Sequence, residues 1–125
     1  MLQATNAFSS FSVNDIEKAK IFYEKTLGLT IKENPMGLLE LHFPNGQRVL
    51  IYPKPNHEPA TFTVLNFPIE NIENAVDEIS AKGVKFLQYE AQIKTDPKGI
   101  CRSDKGPNLA WFKDPAGNIL AVLED

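Results

Sequence analysis

The sequence predicts an α+β fold built from two tandem βαβββ modules, and three observations carry that prediction. Val13-Asn14-Asp15-Ile16-Glu17-Lys18-Ala19 is echoed by Ile69-Glu70-Asn71-Ile72-Glu73-Asn74-Ala75. Each helical pattern stops at a glycine, in Gly28-Leu29 and again in Gly83-Val84. The two halves also end alike, with Phe43-Pro44-Asn45-Gly46 before Val49-Leu50-Ile51 and Asp114-Pro115-Ala116-Gly117 before Ile119-Leu120-Ala121. A repeat of this size is a whole supersecondary unit that buries its apolar face poorly alone, so the two copies are expected to share a cleft. The chain of 125 residues suits one compact domain. Module one is expected over about residues 5–53, a proline-rich connector over 53–60, and module two over about 61–125.

The elements follow in order. Residues 7–13 alternate as a strand, with Ser9, Phe11 and Val13 on one face and Phe8, Ser10 and Ser12 on the other. Asn14 or Asp15 caps a helix whose stripe is Ile16, Ala19, Phe22, Tyr23 and Leu27, and Gly28 supplies its left-handed stop. Leu29 to Lys32 reads as a short strand, and Asn34-Pro35-Met36-Gly37 as a turn. Leu38 to Phe43 and Arg48 to Tyr52 read as a hairpin over Pro44-Asn45-Gly46. Pro53-Lys54-Pro55-Asn56-His57-Glu58-Pro59 is a stiff connector. The second half repeats the order: a strand from Phe62 to Phe67, a helix capped by Asn71 with Ile72, Ala75, Val76 and Ile79 inward, and a strand from Val84 to Tyr89. A long polar stretch, 90–107, precedes a closing hairpin of Leu109 to Lys113 and Asn118 to Leu123. Loops of that length in small domains are often functional.

Composition narrows the function. With 13 basic and 16 acidic residues the net charge is −3, which offers no basic field for nucleic acid or an anionic membrane. No apolar run approaches a bilayer-spanning length. Met1-Leu2-Gln3-Ala4-Thr5-Asn6 lacks the marks of a signal peptide. The one cysteine, Cys101, cannot form an internal disulfide, so the expected location is cytoplasmic.

Two motifs carry a family resemblance. Phe11-Ser12-Val13-Asn14-Asp15, followed by Phe22-Tyr23 and Leu27-Gly28-Leu29, stands near the start. Trp111-Phe112-Lys113-Asp114-Pro115-Ala116-Gly117-Asn118 stands near the end. With the internal repeat between them, the chain resembles the vicinal oxygen chelate superfamily over essentially its whole length. That group includes glyoxalase I, extradiol dioxygenases, and bleomycin and fosfomycin resistance proteins. The resemblance implies two βαβββ modules whose mixed sheets curve into a cup, and often a homodimer. One scaffold hosts many chemistries, so it does not imply one activity.

In the superfamily's metalloenzymes a divalent ion sits in the cup, held by His, Gln or Glu from the first and last strand of each module. Carried over by register, those positions here are Phe8, Ile51, Val64 and Ala121. All four side chains are apolar and none donates a lone pair to a metal. Slipping each position by one residue gives Ala7 or Ser9, Leu50 or Tyr52, Thr63 or Leu65, and Leu120 or Val122, again without a ligand set. The expectation is a protein without the family metal, without another cofactor, and therefore neither a standard glyoxalase I nor an extradiol dioxygenase.

Strand alternation then suggests the lining of the cup. If Phe8 and Ile51 face it, so do Ser10, Ser12 and Val49, with Glu40 and His42 from the third strand. Matching the hairpins sets Trp111 in the place of Glu40 and Lys113 in the place of His42, and Phe62 and Asn66 join from the fifth strand. An apolar floor with a few polar groups is the usual make-up of a small-molecule pocket. Two readings stand. One is a metal-independent protein that binds a small aromatic or amphipathic molecule, stacked by Trp111 and Phe62 and oriented by Glu40, His42 and Asn66. The other is a lyase- or isomerase-type enzyme that uses Glu40 and His42 as acid and base, without metal or at an atypical metal site. Against both, Glu40 and His42 also fit a solvated strand face, Trp111 fits a plug in the cup, and His57 and Cys101 fit incidental surface groups.

Overall fold

The computed structural model describes residues 1–102, 104 and 106–124. The backbone forms two compact units that divide between Pro59 and Ala60. The first unit runs β1 (Ser9–Val13), α1 (Ile16–Ile21), β2 (Thr30–Glu33), β3 (Leu39–His42) and β4 (Arg48–Pro53). Its four strands lie in the order β1-β4-β3-β2. Strand β1 pairs parallel with β4, and β3 pairs antiparallel with both β4 and β2. The second unit has β5 (Thr63–Ile69), α2 (Ile72–Ser80), β6 (Ile100–Cys101), β7 (Leu109–Lys113) and β8 (Ile119–Glu124). Its order, β5-β8-β7-β6, is the same topology. Two four-stranded mixed sheets, each with one helix, make the α+β class that the repeat predicts.

Local chemistry explains the helices. Asp15, in extended conformation, accepts hydrogen bonds from the backbone N–H groups of Glu17 and Lys18 and caps α1. Asn71 does the same for Asn74 at the start of α2. Such side-chain acceptors satisfy donors that a helix start leaves orphaned. After Ile21 the first helix widens into a π-helical turn over Phe22–Thr26, where Leu27 N–H donates to Phe22 O at 2.9 Å. The wider turn buries both adjacent rings, Phe22 and Tyr23. Tyr23 meets Phe22 edge-on at 5.2 Å between centroids and Phe11 of β1 at 6.0 Å. Gly28 then takes a φ of +72°, the left-handed stop that its position requires.

The core of the first unit is Phe11, Val13, Ala19, Phe22, Tyr23, Leu39, Leu41, Val49 and Ile51. Every strand residue in that set alternates with a more exposed neighbour, so one sheet face packs and the other is left open. The second unit packs Ile72 and Val76 with Ile100, Ala110, Phe112, Leu120 and Val122. Its closing turn is held from inside. Among the described residues, Asp114 and Asn118 are the buried polar ones. Asp114 Oδ1 accepts from the N–H groups of Ala116 and Asn118, and its Oδ2 accepts from Asn118 Nδ2. The Asp-Pro-Ala-Gly-Asn motif thus pairs both oxygens of its buried carboxylate from within.

One expected element differs. Val84 to Tyr89 does not form a strand. It touches β7 at a single bridge, Phe86 to Phe112, with Leu87 N–H donating to Trp111 O. Beyond that point the backbone is diverted: Tyr89 N–H goes to Thr95 Oγ1 and Thr95 N–H returns to Tyr89 O. The outer strand comes instead from within the 90–107 stretch, as β6 pairing Ile100 with Ala110 and Cys101 with Leu109. Ser103 and Lys105 of that stretch lie outside the described residues. Gly99 makes the approach to β6 possible. Its φ is +89°, and a Cβ there would stand 2.7 Å from Phe86 Cβ. Gly99→Ala combines a disfavoured backbone with that clash and is expected to cost about 1–3 kcal/mol in denaturant unfolding. An unchanged midpoint would contradict the close approach.

Glu124 ties β8 to α2. Its Oε2 accepts from Ile72 N–H at 3.0 Å and its Oε1 from Asn108 Nδ2 at 2.9 Å. The bond from Ile72, then that from Asn108, hold its carboxyl below the ordinary carboxylate value. A carboxyl depressed by folding adds stability above its unfolded pKa, and that stability is lost as the pH falls through the folded value. Glu124→Gln is therefore expected to lower the melting midpoint near neutrality and to flatten its decline in acid. Parallel pH profiles for the two proteins would disprove this linkage.

Candidate functional site

The open face of the first sheet carries the side chains that alternate with the core. Register sets Ser10 beside Leu50, Leu50 beside Glu40, and Arg48 beside His42. Phe8 stands immediately before β1 and is half exposed. The Arg48 guanidinium lies over its ring, with Cζ 4.4 Å from the centroid. Glu40 Oε1 is 3.1 Å from His42 Nε2 and 4.0 Å from Arg48 Nη1. These groups border a cavity of about 160 Å³ lined by Phe8, Asn34, Met36, Leu38, Glu40, Arg48 and Leu50. The turn at Asn34 shapes its mouth. Asn34 Oδ1 accepts from the N–H groups of Met36 and Leu38, which sets both side chains at the rim. The result is an apolar and aromatic pocket with one carboxylate and one guanidinium.

Farther along β1, Ser12 Oγ is 2.7 Å from His57 Nδ1. His57 reaches it because β4 runs parallel to β1, so the connector leaves β4 beside the end of β1, where Lys54 N–H donates to Val13 O. In the sequence His57 is a lone connector histidine; the parallel pairing of β1 with β4 is what returns it to the strand.

The second unit presents a different face. Asn66, Ala121 and Trp111 stand side by side on β5, β8 and β7. Tyr89 supports the Trp111 indole edge-on at 5.6 Å. Val64 precedes Asn66 by two residues, beside a register irregularity between Thr63 and Leu65. Lys113 is exposed at the end of β7, and Phe62 lies before β5, 67 % exposed. Cys101 is half-buried in β6, and its neighbour Arg102 is engaged by Glu73 at 2.7 Å and Asp96 at 3.5 Å.

Two expected placements change. Ile51 pairs with Phe11 and Leu39 and is fully buried on the helix side of the sheet, and Val49 is buried on the same side. Neither shares a face with Phe8. The pairing Glu40 to Leu50 repeats Trp111 to Ala121, so Leu50 is the counterpart of Ala121. The one-residue offset comes from matching the apolar triplets Val49-Leu50-Ile51 and Ile119-Leu120-Ala121 to each other, whereas the turns, Phe43 with Asp114, and the ladders both align Ile51 with Val122. A slip of one residue exchanges the two faces of a strand. Leu50, like Ile51, has no donor atom for a metal. Among the described residues, no three His, Cys, Asp or Glu side chains converge as a ligand set.

A family model for the glyoxalase/bleomycin resistance protein/dioxygenase superfamily matches residues 6–122. The chain belongs to this superfamily. Solved structures agree on the fold. A superfamily member from Sphaerobacter thermophilus DSM 20745 is 22% identical, with a TM-score of 0.70 over 98% of this chain and 100% of the other. TnmS3, an antibiotic binding protein from Streptomyces sp. CB03234, is 21% identical, with a TM-score of 0.68 over 98% of each chain. A glyoxalase family protein from Bacillus anthracis is 20% identical, with a TM-score of 0.67 over 100% of this chain and 99% of the other. No curated protein shows significant similarity. In this superfamily fold the start and end motifs are accounted for as structure: Asp15 is a helix cap and Asp114 the inner clasp of a turn.

The face assignment can be tested directly. Leu50→Glu adds a carboxylate to an open face and is expected to leave a folded protein. Ile51→Glu buries an unpaired charge and is expected to cost more than about 4 kcal/mol, enough to unfold a domain of ordinary stability. Circular dichroism of the two variants would separate these outcomes, and the reverse pattern would restore the original register.

Proposed function

We propose that the protein binds a small aromatic or amphipathic molecule without a metal, and that the first unit's open face is the seat. The observation that carries this reading is the pocket beside Phe8, where four apolar side chains and two opposite charges meet around about 160 Å³. Small-molecule pockets combine mostly apolar walls with a few placed polar groups. A space of this size takes one ring or the end of a larger compound. Ser10, on the same face as Glu40 and His42, adds a hydroxyl beside the pocket, and Ser12 is engaged by His57. On the second unit, Trp111 with Tyr89 and Asn66 forms a separate surface suited to stacking a planar group, with Phe62 and Lys113 at its margins. The naming of TnmS3 as an antibiotic binding protein supports binding as a use of this fold. No described helix is long and apolar enough to cross a membrane. A homodimer, as the family resemblance implies, and a cytoplasmic location, as the single cysteine suggests, belong to the same proposal.

The metal-free part rests on side-chain chemistry: Phe8, Leu50, Val64 and Ala121 offer carbon where the metalloenzymes offer nitrogen or oxygen. One specific observation favours a second reading. Glu40 and His42 are within hydrogen-bond reach at 3.1 Å and partly buried, which is the geometry of an acid–base pair. In an isomerase or lyase, Glu40→Gln would abolish turnover while leaving neutral ligands bound.

Two measurements decide between the readings. Protein purified without added metal or chelator is expected to contain far less than one equivalent of nickel, zinc, iron or manganese by elemental analysis; a stoichiometric ion would defeat the metal-free reading. Neutral single-ring aromatics are expected to raise the melting midpoint by mass action, and Phe8→Ala is expected to erase that shift. Shifts that survive Phe8→Ala but vanish in Trp111→Ala would move the seat to the second unit.

A further inference from the structure

The first unit already holds a planar cation in its own pocket, and that cation is Arg48. Its guanidinium lies over the face of Phe8, the most favourable position for a cation on a ring. It is also 4.0 Å from Glu40 Oε1, at the outer limit of an ion pair. Neither contact is strong: the Arg48 side chain is 42% exposed, and exposed ion pairs contribute little. Glu40 is the better buried partner, at 23%. Its Oε1 takes both His42 and Arg48, and no hydrogen bond to Oε2 is present among the described residues. Met36 is 77% exposed at the rim, where a flexible thioether can close over a ring.

From this arrangement we infer that the pocket selects planar aromatic cations, with Arg48 standing in for the ligand until it is displaced. The inference rests on the binding reading above and specifies the ligand's charge. A flat amidinium or protonated amine on one ring would lie against Phe8, where Arg48 now lies, and present its N–H groups to Glu40. A bidentate N–H pair matches a carboxylate in geometry as well as charge. Arg48, once displaced, swings to solvent on a flexible stem. The pairing of an exposed arginine with a better buried carboxylate is what makes the exchange favourable: the arginine gives up little, and the carboxylate gains a second donor.

The test compares benzamidinium, benzyl alcohol and benzoate, which share one ring and differ in charge. Each is titrated into the full chain and followed by backbone amide shifts of residues 8–12, 36–40 and 48–50. Benzamidinium is expected to bind about three- to tenfold more tightly than benzyl alcohol, and benzoate more weakly than either. Arg48→Ala, a change at a half-exposed side chain, is expected to tighten benzamidinium about three- to fivefold and benzyl alcohol less. Glu40→Gln is expected to remove the preference for the cation. A preference for benzoate that disappears in Arg48→Ala would overturn the inference and make Arg48 an anion anchor. Equal binding of all three would overturn the charge selection while leaving the pocket as the seat. Failure of all three to shift these amides at tens of millimolar would overturn the pocket reading itself.

Discussion

The first strand of each unit pairs parallel with its last, β1 with β4 and β5 with β8, and every other placement depends on that pairing. A parallel pair needs a long return connection. Here the return includes a helix and two further strands, so the helix is committed to one sheet face. The other face is left without cover from its own unit. Once Phe11 stands beside Ile51 in the buried layer, Ser10 must stand beside Leu50 in the open one. Chemistry can then occupy only alternate residues: Ser10 and Ser12 on the first strand with Phe8 just before it, Arg48 and Leu50 on the last.

The turns protect that register. In the second unit a buried carboxylate does so: Asp114 accepts three hydrogen bonds from the residues that follow it, and Asn118 Oδ1 reaches on to Ala60 N–H at 3.4 Å. The first unit has the same backbone turn with less inside it. Phe43 N–H donates to Gln47 O, Gly46 N–H donates to Phe43 O, and Asn45 Oδ1 takes only Gln47 N–H. A phenylalanine therefore stands where the second unit has its aspartate. The loop geometry comes from the glycine and the turn amides. The carboxylate adds rigidity where Asp114 and Asn118 are buried and could not be left unpaired.

Much of this was legible in the sequence because helix caps and turn glycines are local devices. Asp15, Asn71, Gly28 and Gly83 act within a few residues of themselves, so a linear reading finds them. The strand missed at Val84–Tyr89 failed for the opposite reason. Its residues alternate well enough, but Thr95 captures the backbone of Tyr89 from six residues away and Gly99 lets the chain press against Phe86. The face of Ile51 is ambiguous in the sequence because Val49-Leu50-Ile51 and Ile119-Leu120-Ala121 are alike in kind but one residue out of step with the turns and ladders. His57 and Arg48 were invisible as site residues for a third reason. Each matters through a partner brought near by strand pairing, Ser12 for one, Phe8 and Glu40 for the other.

The repeat also shows where the two halves have stopped being equivalent. At the matching position on the face opposite the helix, the first unit has Glu40 beside Leu50 and the second has Trp111 beside a fully buried Ala121. One row step along, His42 and Arg48 correspond to Lys113 and Ile119. The buried layers remain interchangeable in kind, aliphatic and aromatic throughout, because packing alone constrains them. The open faces share no such constraint, and they differ in charge, size and hydrogen-bonding capacity. A duplicated fold held together by sterics would keep both faces bland. Glu40 and the Arg48–Phe8 pair on one half, and a Trp111 braced by Tyr89 on the other, occupy that freedom.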